Sequence, residues 1–173
     1  AAARVEYYVR QTRQLLATLA QFPFLTLAND RPFAETNFLN LRLLSPDFLD
    51  FGLIEKDGTR FCHVPDPGTA DDQPDLSSFE AVAKNQRFSM GRLYRGSDTN
   101  AFSLQFGYPV TNAQGGFERV LYASLAVPVL SRALAEIRVP HEGTLTVIDR
   151  TGTVLARFPE PEKWVGTNIS HTP

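Results

Sequence analysis

The sequence predicts an α+β fold, in which a long amphipathic helix leads into an antiparallel sheet. Three observations carry this. Apolar residues recur at helical spacing through residues 4–28. Residues 87–127 form three consecutive β-rich runs, the last two joined by turn chemistry at 111–116 (TNAQGG). A strand–turn–strand segment also occurs twice, 94 residues apart.

Composition narrows the class. The chain has 173 residues, 43% of them hydrophobic and 21% charged, which is globular rather than disordered. A net charge of -2 gives no electrostatic reason to expect a nucleic-acid partner. No apolar run approaches the ~20 residues needed to span a bilayer, and no signal peptide is visible. The single cysteine, Cys62, excludes an intramolecular disulfide and leaves the compartment open. The opening AAARVEYY reads as a boundary inside a longer chain, which would place flanking membrane helices outside it.

In the first helix Val5, Tyr8, Val9, Thr12, Leu15, Leu16, Leu19 and Phe22 form the apolar stripe. Arg4, Glu6, Arg10, Arg13 and Gln14 fill the opposite face, and Pro23 should kink or interrupt the helix. Such a stripe packs on a core; a stalk that also forms a homodimer is the alternative. A second helix follows, capped by Asn29 or Asp30, with Pro32 in its first turn and an end by about Ser45 before Pro46. Phe38, Leu41 and Leu44 share one of its faces. Next comes a hairpin: DFLDFGLI, the turn EKDG, then TRFCHV. Residues 65–75 are an acidic loop. Asp66, Asp71, Asp72 and Asp75 are hard-cation ligand types, but their spacing matches no calcium loop, so no metal is assigned. Ser77 and Glu80 fit a capping box, with Ser77 as N-cap of a short helix carrying Phe79, Val82 and Ala83 on one face. After the three strands, residues 128–137 read as a helix with Pro128 in its first turn.

Strand parity singles out a candidate site. If Val110 pairs with Phe117, then Phe106 lies opposite Leu121 and Leu104 opposite Ala123 on an apolar face that should pack on a helix. The other face then carries Ser103 opposite Ser124 and Gln105 opposite Tyr122. Buried polar groups need partners, and here a ligand, ordered water or a neighbouring loop would serve. A slip of one residue would exchange the two faces.

The repeat aligns FGLIEKDGTRFCHVPDP (51–67) with LTVIDRTGTVLARFPEP (145–161) without gaps. Ile54 matches Ile148, Gly58 matches Gly152, Thr59 matches Thr153, and the charges of Glu55 and Lys56 recur in Asp149 and Arg150. This points to tandem homologous modules, the second represented only by its opening hairpin. The organisation is then N-terminal helices over 1–46, one whole module over 47–138 and the start of another over 139–173. A lone hairpin is marginal in water, so this one must lean on the first module or on another chain.

No nucleophile elbow, phosphate loop, C-x-x-C or H-E-x-x-H occurs, and His63, His141 and His171 share no motif. Nothing supports catalysis or a cofactor, and His63 reads as structural or exposed.

The order of elements resembles the double-Cache family of bacterial extracytoplasmic sensor domains, built from two PAS-like modules behind one long helix. The resemblance is carried by FGLIEKDG, SSFEAV, MGRLY, FGYPV, VLYASLAVPVL and TVIDRTGTVLARFPEPEKWVG, in that order. It implies a periplasmic, non-enzymatic ligand sensor. Transmembrane helices would flank it and couple it to the output of a histidine kinase, diguanylate cyclase or chemoreceptor. It places a small-molecule ligand on the distal module. Members that bind amino acids resemble one another in an Arg that matches Leu76 here and an Asp that matches Ala126, so the departures argue against an α-amino acid. The candidate ligand-binding residues are Arg92, Tyr94, Ser103, Gln105, Tyr122 and Ser124, with Phe79 and Met90 as apolar walls. An inward Arg92 would call for an anionic or strongly hydrogen-bonding ligand; an outward one is a solvated charge. A protein-interaction or dimerisation module without a small-molecule ligand is the alternative.

Overall fold

A computed structural model describes residues 2–65, 75–96, 101–138 and 143–170. Helix α1 (Ala2–Leu19) leads through a four-residue α2 (Pro23–Thr26) to α3 (Arg31–Leu44). The hairpin β1 (Phe48–Glu55) and β2 (Arg60–His63) precedes α4 (Ser77–Asn85), β3 (Ser89–Arg95), β4 (Phe102–Thr111) and β5 (Phe117–Ala126). Helix α5 (Val127–Ala135), a second hairpin of β6 (Leu145–Ile148) and β7 (Val154–Phe158), and α6 (Pro161–Trp164) complete it. Of the four aspartates of the acidic loop only Asp75 lies within the described residues.

The first helix is shorter than its apolar stripe. Pro23 lacks the N–H that would continue α1, so the helix stops at Leu19 and Pro23 starts α2. Phe22 thereby leaves the stripe and is 41% exposed, whereas Thr12 and Leu16 are fully buried. Asp30 caps α3 by accepting from the Phe33 backbone N–H, as its sequence demands. Phe38 is buried on that helix, but Leu44, its last residue, is 83% exposed.

The five strands form one antiparallel sheet in the order β2-β1-β5-β4-β3. The register of β4 on β5 differs by two residues from the one expected: Phe106 pairs with Ala123, Leu104 with Leu125, Gln105 with Ser124 and Ser103 with Ala126. Two one-residue offsets add up. The turn closes between the Asn112 N–H and the Gly116 carbonyl, and a bulge follows between Val110 and Thr111. An even shift preserves parity, so both faces keep the residues assigned to them.

One face carries Phe51, Leu53, Leu104, Phe106, Leu121, Ala123 and Leu125, which join Leu16, Phe38, Leu130 and Leu134 of the helices in the main core. The second hairpin leans on this same core through Leu155 and Ala156. Helix α4 covers the other face, where Val82 packs with Ile54, Val120 and Tyr122.

Hairpins β1–β2 and β6–β7 repeat in backbone as well as sequence. Glu55 N–H donates to the Thr59 carbonyl and Asp149 N–H to that of Thr153, at 2.7 and 2.9 Å. Gly58 and Gly152 both take positive φ, at 88° and 85°. A bulge falls between Leu53 and Ile54 in the first hairpin and between Val147 and Ile148, the matching residues, in the second.

Candidate functional site

The α4-facing side of the sheet is laid out in rows across the strands. Asp50 of β1, Ser124 of β5 and Gln105 of β4 pair directly in one row. A second row holds His63, Gly52, Tyr122 and Gly107. A third holds Ala126, Ser103 and Tyr94.

Helix α4 sits close on this face because glycine lies beneath it. A Cβ on Gly107 would come within 2.9 Å of Val82, and one on Gly91 within 2.5 Å of Ser77 Oγ. The expected capping box is absent: Leu76 is the N-cap and no side chain caps the helix. The Ser77 hydroxyl is committed elsewhere, donating to Asp75 Oδ2 at 2.9 Å and accepting from the Arg92 backbone N–H at 2.7 Å. It ties α4 to β3 instead. One residue on, the buried Ser78 hydroxyl donates to Gln105 Oε1.

Beside α4, Tyr122 lies over Gly52. Its hydroxyl donates to Asp50 Oδ2 at 2.8 Å. A Cβ on Gly52 would stand 2.7 Å from that hydroxyl and 2.3 Å from the Cys62 carbonyl oxygen. Asp50 Oδ1 accepts from the Val64 backbone N–H at 2.9 Å. His63 Nδ1 lies 3.9 Å from Asp50 Oδ2, and the Arg60 guanidinium approaches the His63 ring at 3.3 Å.

Burial pushes the Asp50 carboxyl up to about 6, against the pull of the Tyr122 and Val64 hydrogen bonds and the Arg60 charge. Burial, reinforced by Asp50, also raises the Tyr122 phenol well above its ordinary value. The folded chain therefore holds the Asp50 proton more tightly than the unfolded chain does. Stability falls as pH rises from about 4 through about 6, by roughly 2–3 kcal/mol in all. Asp50→Asn should flatten this part of the profile and melt above wild type at pH 8. Thermal melts from pH 4 to 8 check this; parallel profiles would mean that Asp50 ionises normally.

The residues expected from sequence divide into two groups. Ser103, Gln105, Tyr122, Ser124 and half-buried Tyr94 come together on these rows. Ser103 and Ser124 are 9% and 8% exposed, yet neither hydroxyl bonds to another described residue. Phe79 instead packs in the cluster over Ile54 and Val120, against the Gly58 turn. Met90 and Arg92 are exposed and line a shallow depression of about 330 Å³ with Lys84 and Glu80, at the outer edge of α4. A larger cavity of about 600 Å³ lies away from the rows, among Arg95, Phe102, Val127, Phe158 and Val165. Its lining is mostly apolar but includes Arg95, Ser131, Arg132 and Glu162, whereas the polar rows gather the residues that strand parity singled out.

Sequence reasoning missed Asp50, His63 and Ser78. The signal for Asp50 was present, since alternation along β1 separates Asp50 and Gly52 from Phe51 and Leu53. Among the described residues no group of three or more His, Cys, Asp or Glu is placed to hold a metal, and no helix is long and apolar enough to cross a membrane.

Neither a family model nor a curated protein sequence matches the chain. Solved structures do. The ligand-binding domain of the Pseudomonas fluorescens chemoreceptor CtaA in complex with L-serine has a TM-score of 0.73 at 14% identity, covering 97% of this chain and 71% of that one. That of the Pseudomonas aeruginosa amino acid chemoreceptor PctC in complex with GABA has a TM-score of 0.72 at 17% identity, covering 97% and 75%. The sensor domain of the Vibrio cholerae histidine kinase DctB has a TM-score of 0.73 at 10% identity, covering 96% and 65%. With its long first helix, five-stranded antiparallel sheet and α4 laid across one face, the chain has the fold of the Cache-type extracellular sensor domains of histidine kinases and chemoreceptors.

Proposed function

We propose that this chain is an extracytoplasmic ligand-sensing domain of a membrane-anchored bacterial signalling protein, that it has no catalytic role, and that it binds a small molecule on the α4 side of the sheet. The tandem-module organisation, with one module over 47–138 and the opening of a second from 139, belongs to this reading and is supported by the matched bulges of the two hairpins. The observation that carries the site is the gathering of Asp50, Ser124, Gln105, Tyr122 and Ser103 on adjacent rows of one face, where the Ser103 and Ser124 hydroxyls bond to no other described residue. Ligand binding would signal by favouring one arrangement of α4 and the N-terminal helix over another.

A thermal-shift screen of small metabolites tests the reading. At least one compound should raise the melting temperature of wild type and fail to do so with Ser124→Val. No shift with any compound, while a known Cache domain responds to its own ligand, would count against it. The bonds that Gln105 Oε1 and the Tyr122 hydroxyl already make within the chain favour the second reading, an interaction module, as does the exposed aromatic run of Phe22, Phe24 and Phe33. That reading expects self-association by sedimentation and no small-molecule response.

A further inference from the structure

The cavity of about 600 Å³ lies where the second hairpin meets the first module, among the end of β3, the start of β4, α5 and α6. It is on the far side of the sheet from the polar rows, since Arg95 pairs with Phe102 one step along the strands from Tyr94 and Ser103. Its walls are fixed by packing. Leu155 and Ala156 seat the hairpin on the main core. Gly166, at a φ of 85°, brings the chain after α6 so close to β4 that a Cβ there would stand 2.5 Å from the Phe102 ring. The volume falls within the roughly 300–1,000 Å³ of small-molecule sites.

Inside, Phe102, Val127, Phe158 and Val165 offer apolar surface, and one polar group stands among them. Ser131 of α5 is 7% exposed, and its hydroxyl has no hydrogen-bond partner among the described residues. A helical serine ordinarily bonds back to the carbonyl four residues before it; this one does not. A buried hydroxyl without a partner is costly, and one that lines a cavity can donate to whatever enters. The rim is charged: Arg95, Arg132 and Glu162 are all exposed there. Arg95 lies 5.2 Å over the Phe102 ring and forms no ion pair among the described residues. Arg132 reaches Asp47 only at 3.4 Å, on open surface where such a contact contributes little. Two arginines against one carboxylate leave the mouth positive on balance.

We infer that this cavity is a second ligand site, for a small monocarboxylate with an apolar body. The ring or chain lies against Phe102, Phe158 and Val165, and the carboxylate accepts from the Ser131 hydroxyl with Arg95 and Arg132 at the mouth. Burial of the apolar body supplies the affinity, and the charge-assisted hydrogen bond selects the headgroup. The charged rim suits a small anion better than an apolar partner chain, because the centres of protein interfaces are depleted of charge. A ligand here touches the first module and the second hairpin at once, so it would tighten the seat of one on the other.

Isothermal titration of the whole chain at neutral pH tests this with phenylacetate and octanoate. Phenylacetamide, which has the body without the charge, and succinate, which has charge without the body, are the controls. Both monocarboxylates should bind, at least about tenfold more tightly than either control. This comparison needs no variant. Arg95→Met keeps an unbranched stem over Phe102 and removes the charge, and Ser131→Ala removes only the hydroxyl. Each should weaken phenylacetate about tenfold. Ser131→Ala should do so while melting at or above wild type, because the hydroxyl it deletes bonds to nothing and alanine is the better helix former. A merely structural serine would lose stability and binding together. Glu162→Gln should tighten binding, since it removes the carboxylate that repels the ligand's own. None of these variants touches the polar rows, so the result stands apart from that of the metabolite screen. Equal binding of phenylacetate and phenylacetamide overturns the inference, as does binding indifferent to both Arg95→Met and Ser131→Ala. So does the absence of binding by either monocarboxylate. Self-association that is abolished by Ala135→Trp, at an exposed position of the lining, would put a second copy in the cavity and overturn it likewise.

Discussion

Arg119→Ala is expected to destabilise the domain by about 3–5 kcal/mol, the cost of breaking a buried, hydrogen-bonded charge pair. The guanidinium is nearly fully buried and every face of it is used. It pairs with both Glu55 oxygens, at 2.8 and 3.1 Å, and donates to the carbonyls of Thr26 and Ala28 and to Asn29 Oδ1. It also lies 4.0 Å over the Phe61 ring. Removing it leaves the half-buried Glu55 without its partner and the carbonyls of Thr26 and Ala28 without this donor. Urea unfolding measures the loss. Hydrogen exchange should show residues 22–30 opening first, because Arg119 is what fastens them to β5. Arg119→Lys should recover only a minor part, since one ammonium cannot meet five acceptors arranged around a planar fork. A loss below about 1 kcal/mol would mean that water replaces these contacts.

Gly52→Ala is expected to cost about 2–4 kcal/mol, from one added methyl group in a closed space. The new Cβ would stand 2.3 Å from the Cys62 carbonyl oxygen, a backbone atom held by the β1–β2 ladder, and 2.8 Å from the Tyr122 ring. The side chain can swing aside; the carbonyl cannot without opening the hairpin. The variant should therefore lose melting temperature and also the pH dependence that Tyr122 and Asp50 create together. Gly115→Ala serves as the contrast. Its Cβ meets nothing within 4 Å, and only its positive φ of 80° resists, so it should cost about 1–2 kcal/mol. Equal losses at the two glycines would remove the steric account of Gly52.

Much of the fold was legible in sequence because its signals are local. Asp30 before Pro32, the Asp57–Gly58 turn, and alternation along residues 102–126 each state a backbone preference that tertiary structure keeps. Errors arose where a distant group outbid a local one. Ser77 has the sequence of an N-cap, but Asp75 and the Arg92 N–H claim its hydroxyl. The β4–β5 register slipped by two residues because neither the turn closure at Asn112 and Gly116 nor the bulge after it is encoded in alternation. The faces survived only because the slip was even. The site was half legible. Ser103, Gln105, Tyr122 and Ser124 follow from parity on adjacent strands. Asp50 and His63 reach them only through β1 pairing with β5, a contact between residues some seventy positions apart that no window of sequence contains.

The matched hairpins give the molecule an internal reference for telling scaffold from specialisation. At equivalent positions both keep the acidic residue, the glycine with positive φ and the threonine that build the turn. Where the first has Gly52 facing His63, the second has Thr146 facing Arg157, joined by a side-chain hydrogen bond of 3.0 Å. Thr144 stands where the first has Asp50. The same backbone thus closes over itself in one copy and is left open to a tyrosine and a carboxylate in the other. Placing the second copy's threonine at Gly52 would open the first hairpin, so this position cannot be exchanged between the copies.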